Sequence, residues 1–169
     1  LLNKKTWDKF VWVVTEDSDD HDIGWRCEYW GKMMRGASLT YRATKNEKLY
    51  TVLKETVLDM LTTQDESGRF SSYTKDSEFF SWDMWGRKSV LTAMLHFYEI
   101  CKDEEFKAEI ITKLNRHLDY IIDHIGEGEG QIDILEATTH NDFTWGALNS
   151  SSILEPTVRQ YLLTGDKKY

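Results

Sequence analysis

The chain of 169 residues carries 21 Lys and Arg against 29 Asp and Glu, a net charge of −8, with 40% hydrophobic and 30% charged residues. That length suits one domain with a real core, and no apolar run approaches the roughly 20 residues a membrane span needs, so a soluble globular protein is expected. The basic residues are dispersed among acids, which argues against nucleic acid as a partner, because counterion release needs clustered Lys and Arg.

Seven Trp and a single Pro fit long uninterrupted helices. Cys27 and Cys101 have neither CxxC spacing nor the density of a disulfide scaffold, which favours a reducing compartment. No charged, apolar and small-residue segment opens the chain, so the expected location is cytoplasmic.

In chain order, residues 1–23 form an N-terminal lead-in. Leu1 to Phe10 and the Val11 to Val14 run show no clear pattern, and Asp17 to Asp22 reads as a solvated acidic turn. The first hairpin spans 24–68. Trp30, Met33, Met34, Ala37 and Tyr41 fall on one helical face. After Asn46, a capping residue, Leu49, Val52, Leu53, Val57, Met60 and Leu61 repeat the pattern until Asp65 to Gly68 ends it. The second hairpin spans 82–126, with Leu91, Met94, Leu95 and Tyr98 on one helix. Phe106, Ile110, Leu114, Leu118, Ile121 and Ile125 mark the other, and Gly126, Gly128 and Gly130 stop it. The start of a third hairpin, 150–169, opens near Ser152 and Glu155, a capping-box pair with Pro156 in the first turn. Gly68 to Tyr73 and Gly130 to Ile134 read as short extended pieces between hairpins. His96, His117 and His124 sit at helical positions that suit solvent or satisfied packing, and the spacing of His117 and His124 is not the i, i+4 pair of a helical zinc site.

One phrase recurs. Tyr41-x-x-Thr44-x-Asn46-x-x-Leu49 returns as Tyr98-x-x-Cys101-x-Asp103-x-x-Phe106, 57 positions on, and as Tyr161-x-x-Thr164-x-Asp166-x-x-Tyr169 after 63 more. Each copy reads as a helix end, a capped polar turn and the first buried residue of the next helix. A period near 60 is too long for a tetratricopeptide array of roughly 34 residues. It suits an all-α ring of helical hairpins, a partial α/α toroid, in which repeat units bury their core only against neighbours. The remainder of its own chain, or a homo-oligomer, is then the expected partner.

The chemistry gathers where the first helix of each hairpin begins. Glu28-Tyr29-Trp30-Gly31-Lys32 and Asp83-Met84-Trp85-Gly86-Arg87 share an acid, a Trp, a Gly and a base at the same spacing. One reading is structural: an i, i+4 ion pair, a glycine that lets helices approach, and a core Trp. The other is a carbohydrate site, which needs carboxylates or amides for hydroxyls and flat apolar faces for the C–H side of a sugar ring. Glu28, Trp82, Asp83, Trp85, His140 and Asn149 are the candidate substrate-binding residues, with Trp145 a further stacking face. No residue is assigned as catalytic or as a metal ligand.

Gly24 to Lys32, Thr63-Gln64 with Gly68-Arg69, Trp82 to Lys88, and above all Asn149-Ser150-Ser151-Ser152-Ile153-Leu154-Glu155-Pro156 with Tyr161-x-x-Thr164-Gly165-Asp166 resemble the β-L-arabinofuranosidase-like enzymes of glycoside hydrolase family 127. The resemblance spans nearly everything after Gly24. It implies an (α/α)6 toroid with a further β-rich portion that hydrolyses arabinofuranosides or related plant-type glycosides. It also implies a catalytic glutamate and a zinc-bound cysteine nucleophile downstream of this segment, so zinc is expected only in the complete protein and none here; the segment alone should be inactive. Many members carry His-Glu where this chain has Trp82-Asp83, and Trp offers only an N–H donor, which bears on the sugar accepted. Two other classes share these hairpins: a non-catalytic repeat that binds protein or carbohydrate, and another toroid enzyme such as a lyase or unsaturated-glycoside hydrolase.

Overall fold

The computed structural model describes residues 1–16, 25–138 and 146–169. Eight α-helices are described: α1 Lys4–Glu16, α2 Arg26–Thr44, α3 Glu47–Thr62, α4 Asp83–Tyr98, α5 Glu104–His124, α6 Ile134–Thr138, α7 Gly146–Ser151 and α8 Leu154–Thr164. The all-α expectation is met: among the described residues no strand occurs, and one isolated parallel bridge joins Ile125 to Ile132. The acidic turn at Asp17 to Asp22 lies outside the described residues.

The recurring phrase is the helix-turn chemistry itself. Lys45 closes α2 in the left-handed conformation at φ 54° and donates its N–H to the Tyr41 carbonyl at 2.8 Å; Asn46 then accepts the Leu49 N–H at 3.2 Å and starts α3. Asp103 accepts the Phe106 N–H at 3.0 Å and starts α5. Gly165, at φ 71°, ends α8 with its N–H on the Tyr161 carbonyl at 2.8 Å. Caps of this kind contribute about 1 kcal/mol each.

Helices α2, α4 and α8 lie side by side, with α3 and α5 packed behind them. Helix α4 is enclosed on nearly every side: Met84, Val90, Leu91, Ala93, Met94, Leu95 and Phe97 are all buried. Its contact with α2 is backbone to backbone. A Cβ on Gly31 would sit 2.5 Å from both the carbonyl carbon and the oxygen of Ser89, so the two helices meet at a point where no side chain fits. One turn away Gly86 faces the Cβ of Cys27 at 3.3 Å. Trp30, fully buried, donates its indole N–H to the Thr56 hydroxyl at 3.0 Å and ties α2 to α3.

Three features depart from the sequence expectations. The lead-in is helical: α1 buries Trp7 and Val11 against α2 and α3, a pattern of two anchors four apart too sparse to stand out in the sequence. The Ser152 and Glu155 capping box does not form, because a separate short helix, α7, precedes α8. Ser152 instead donates its hydroxyl to the Asn149 carbonyl at 2.7 Å, and Ile153 occupies the cap position; Pro156 does lie in the first turn. The second extended piece is brief, since α6 starts at Ile134.

Candidate functional site

The polypeptide entering α4 is held in an uncommon shape. Phe79 and Ser81 both adopt left-handed backbone conformations, at φ 66° and 56°, which non-glycine residues sustain only when their surroundings over-determine them, at a cost of about 1–3 kcal/mol each. The restraints converge here. Asp83 accepts the Phe79 N–H at 2.8 Å and the Ser71 hydroxyl, and pairs with Arg87 at 2.9 Å. Asn149 reaches across from α7 and donates to the Ser81 carbonyl at 2.6 Å.

Arg87, with no exposed surface, bridges Asp83 and Glu78, and its guanidinium lies 4.2 Å from the centre of the Phe79 ring. Glu78 in turn pairs with Arg69 at 2.8 Å and accepts the Tyr120 hydroxyl at 2.9 Å. Burial raises the Glu78 carboxyl, but Arg87 and Arg69 outweigh it and hold its pKa below the ordinary range. Burial, with the hydrogen bond to Glu78, pushes the Tyr120 hydroxyl up to about 12. This network fastens the loop at residues 68–82 to α4 and α5.

His117 sits beneath that loop, fully buried, with Nδ1 3.2 Å from the Phe70 N–H and 3.1 Å from the Gly68 carbonyl. Burial first, then Arg87 and Arg69, drive its pKa well below 6.5, against a smaller opposing effect of the Gly68 hydrogen bond. The folded protein therefore keeps this ring neutral while the unfolded chain takes up a proton below about pH 6.5. Stability should be full above that pH and should fall as the solution is acidified through it, by at most about 1.4 kcal/mol per pH unit. Denaturant midpoints at pH 7.5 and 5.5 check this, and the His117 ring resonances should not titrate near 6.5 in the folded protein; a normal titration there would contradict the assignment.

The sequence candidates divide into two groups. Asp83, 1% exposed, has both carboxylate oxygens engaged inside the loop, and Asn149, fully buried, holds that loop from the other side. Glu28, Trp82 and Trp85 come together on the accessible side. The rings of Trp82 and Trp85 meet edge to face at 5.9 Å. Glu28 pairs with Lys32, whose Nζ lies 5.7 Å from the centre of the Trp85 ring. Lys88 lies over the same ring at 4.0 Å. Both i, i+4 ion pairs expected from the repeated acid–base spacing form, one on the surface and one buried. His140 and Trp145 lie outside the described residues.

Beside Trp85 a cavity of about 580 Å³ opens between α4, α7 and α8, lined among others by Lys88, Leu148, Ser151, Leu154 and Glu155. This volume is in the range of small-ligand sites. A second hollow, of about 680 Å³, lies at the opposite, hairpin-turn end beside Tyr41, Arg42, Glu99 and Lys102. Arg42 there is matched by Glu99 at 3.0 Å and Lys102 by Glu47 at 2.8 Å, and none of the sequence candidates lines it, so the Trp85 side is the better candidate. Lys88 was not a sequence candidate; its place three residues after Trp85, on the same helical face, was the available signal.

The family model for the β-L-arabinofuranosidase GH127 catalytic domain matches residues 3–169. The chain belongs to this family. Among solved structures, this GH127 chain is similar to the GH127 β-arabinofuranosidase BT3674, with a TM-score of 0.69 and 15% identity over 96% of this chain and 26% of that one. It is also similar to a GH127 β-L-arabinofuranosidase from Geobacillus stearothermophilus T6, with a TM-score of 0.58 and 15% identity over 98% of this chain and 28% of that one. At such identity the likeness establishes the fold. The GH127 chain thus spans about a quarter of the length of either relative. Comparison with curated proteins gives no significant match.

The zinc site implied by the resemblance finds no counterpart among the described residues of the GH127 chain, where no group of three His, Cys, Asp or Glu side chains is placed to hold a metal. Cys27 is buried, and burial, partly offset by the Ser72 hydrogen bond, pushes its thiol up to about 12. A thiol so protonated is neither nucleophile nor ligand near neutral pH. Cys101 is also buried, at a hairpin turn.

Proposed function

We propose that this chain supplies one wall of the sugar cleft of a glycoside hydrolase acting on arabinofuranosides or related plant-type glycosides. The observation that carries the reading is the meeting, in a member of the GH127 family, of Trp82, Trp85, Glu28 and Lys32 at the entry ends of α2 and α4, beside a cavity floored by α7 and α8. Trp82, half-buried, offers the flat face for a sugar ring, while Trp85 is flanked by lysines. The Glu28 carboxylate can accept hydrogen bonds from sugar hydroxyls while Lys32 holds its charge.

Hydrolysis itself would follow the two-group scheme, one side chain giving and taking a proton and another attacking the anomeric carbon. None of the described residues is assigned either role. Asp83 acts on this chemistry as a positioning residue, because it sets the backbone that presents Trp82.

The test is an assay of the intact polypeptide against aryl β-L- and α-L-arabinofuranosides. The β-anomer should be cleaved, and Trp82→Ala should lower kcat/KM about tenfold or more, a loss of roughly 1.4 kcal/mol of binding, chiefly through KM. Unchanged kinetics in both Trp82→Ala and Glu28→Gln would remove this wall from the cleft. Failure to cleave any arabinofuranoside would remove the sugar class.

A further inference from the structure

The charges around Trp85 do not balance, and the imbalance sits at the mouth of the cavity. Lys88 is half-buried and rests 4.0 Å from the ring centre of Trp85, yet it forms no ion pair among the described residues. The charged groups that act on it are Glu28 and Glu155 on one side and Lys32 and Arg35 on the other. Both acids are already taken: Glu28 pairs with Lys32, and Glu155 pairs with Arg159 at 3.2 Å. Arg159 also reaches Glu99 at 3.2 Å, so the neighbouring base is doubly matched while Lys88 is not.

A partly desolvated ammonium without a counter-charge is costly to the folded chain. The cost is contained here by the π face of Trp85, a cation–π contact of about 0.5–2 kcal/mol, and burial with the like charges of Lys32 and Arg35 still lowers the Lys88 pKa. The same contact covers a face of Trp85 that a neutral sugar would otherwise stack on. Leu148 and Leu154 give the cavity apolar walls, and the Ser151 hydroxyl spends its proton on the Ala147 carbonyl at 2.7 Å. Of the two cations lining this space, Arg159 is matched by Glu155 and Glu99, and Lys88 has no ion pair among the described residues.

We infer that the saccharide bound at this wall carries a carboxylate, and that Lys88, with Lys32 on the same Trp85 ring, is the specificity determinant that receives it. This rests on the proposed carbohydrate cleft and adds to it: arabinofuranose carries no carboxylate, so the acidic group belongs to a sugar unit joined to it. A carboxylate accepts from an ammonium in a charge-assisted hydrogen bond roughly twice as strong as a neutral one, and it would supply the counter-charge that Lys88 lacks. A neutral sugar offers hydroxyls only.

The experiment is a calorimetric titration of the intact polypeptide at low salt with matched pairs, D-galacturonate against D-galactose and D-glucuronate against D-glucose, and with acetate alone. At least one uronate should bind tenfold or more tightly than its neutral partner and than acetate, and added salt should shrink the difference. Lys88→Met should abolish the preference. Lys32→Met, at an exposed side chain whose loss leaves the fold intact, should reduce it several-fold, which keeps the test decisive if the Lys88 variant misfolds. Equal binding of each pair would overturn the inference and leave the carbohydrate reading standing. Acetate binding as tightly as a uronate would mean a bare anion site and overturn it too, as would a preference that survives both variants. Failure of every sugar to bind would overturn it together with the proposed cleft.

Discussion

Gly31→Ala should be among the most damaging single-methyl changes this chain can suffer. The added Cβ would lie 2.5 Å from the carbonyl carbon and oxygen of Ser89, and these are backbone atoms inside α4 with no rotamer to adopt. Relief requires α2 and α4 to move apart along their whole contact, opening the best-packed seam of the molecule. Overpacking of this kind costs about 1–3 kcal/mol and occasionally more, and the backbone location puts Gly31 at the upper end. At about 3 kcal/mol the thermal midpoint should fall by roughly 10 °C for a domain of this size. Two neighbours serve as controls. Gly86→Ala meets only the Cys27 side chain at 3.3 Å, and Gly36→Ala, on the same helix as Gly31, meets nothing. The first should cost far less, and the second should stabilise by up to about 1 kcal/mol through helix propensity alone. Thermal melts of the three variants check the order; a Gly31→Ala protein as stable as Gly36→Ala would contradict the close approach of α2 and α4.

Arg87→Met should cost about as much by a different route. The substitution removes the guanidinium that Asp83 and Glu78 share, leaving the wholly buried Asp83 carboxylate without its cation. Loss of one partner of a buried ion pair costs about 3–5 kcal/mol. Arg87→Lys should rescue little, because a single ammonium cannot span both acids in the planar, forked manner of a guanidinium. Partial rescue is expected from Arg87→Met combined with Asp83→Asn, which removes the stranded charge, while Glu78 keeps Arg69 as its cation. Denaturant titrations of the series measure this. Since Asp83 of the same network holds Phe79 in its left-handed conformation, the Arg87 variant should also weaken sugar binding at Trp82 more than its loss of folded population explains.

Much of the fold was legible because its signals are local. The Tyr41, Tyr98 and Tyr161 phrases encode caps and turns that need only neighbouring residues, and Asn46 and Asp103 perform the capping their positions imply. The glycines in the twin Trp-Gly segments marked a close helix contact, and Gly31 makes it. What stayed hidden depends on distant partners. Helix α1 is anchored by Trp7 and Val11 against surfaces that the sequence does not juxtapose. Asp83 and Glu28 occupy equivalent places in the repeat, yet one is sealed within the loop by Ser71, Phe79 and Arg87 while the other is only partly buried and pairs with the exposed Lys32. Glu78, nine residues before Arg87, adds a second acid to the buried copy. Lys88 gained its importance only when α8 brought Glu155 and Arg159 alongside and matched them to each other.

On the proposed reading, the entry ends of α2 and α4 form a saccharide wall around Trp82 and Trp85. A crystal structure of the intact polypeptide soaked with an oligosaccharide it binds tests this most directly. A sugar ring should lie against Trp82, with polar groups within hydrogen-bond distance of Glu28 and Lys88. A saccharide seated instead in the hollow beside Tyr41 and Lys102, or anywhere that leaves Trp82, Glu28 and Lys88 untouched, would contradict it.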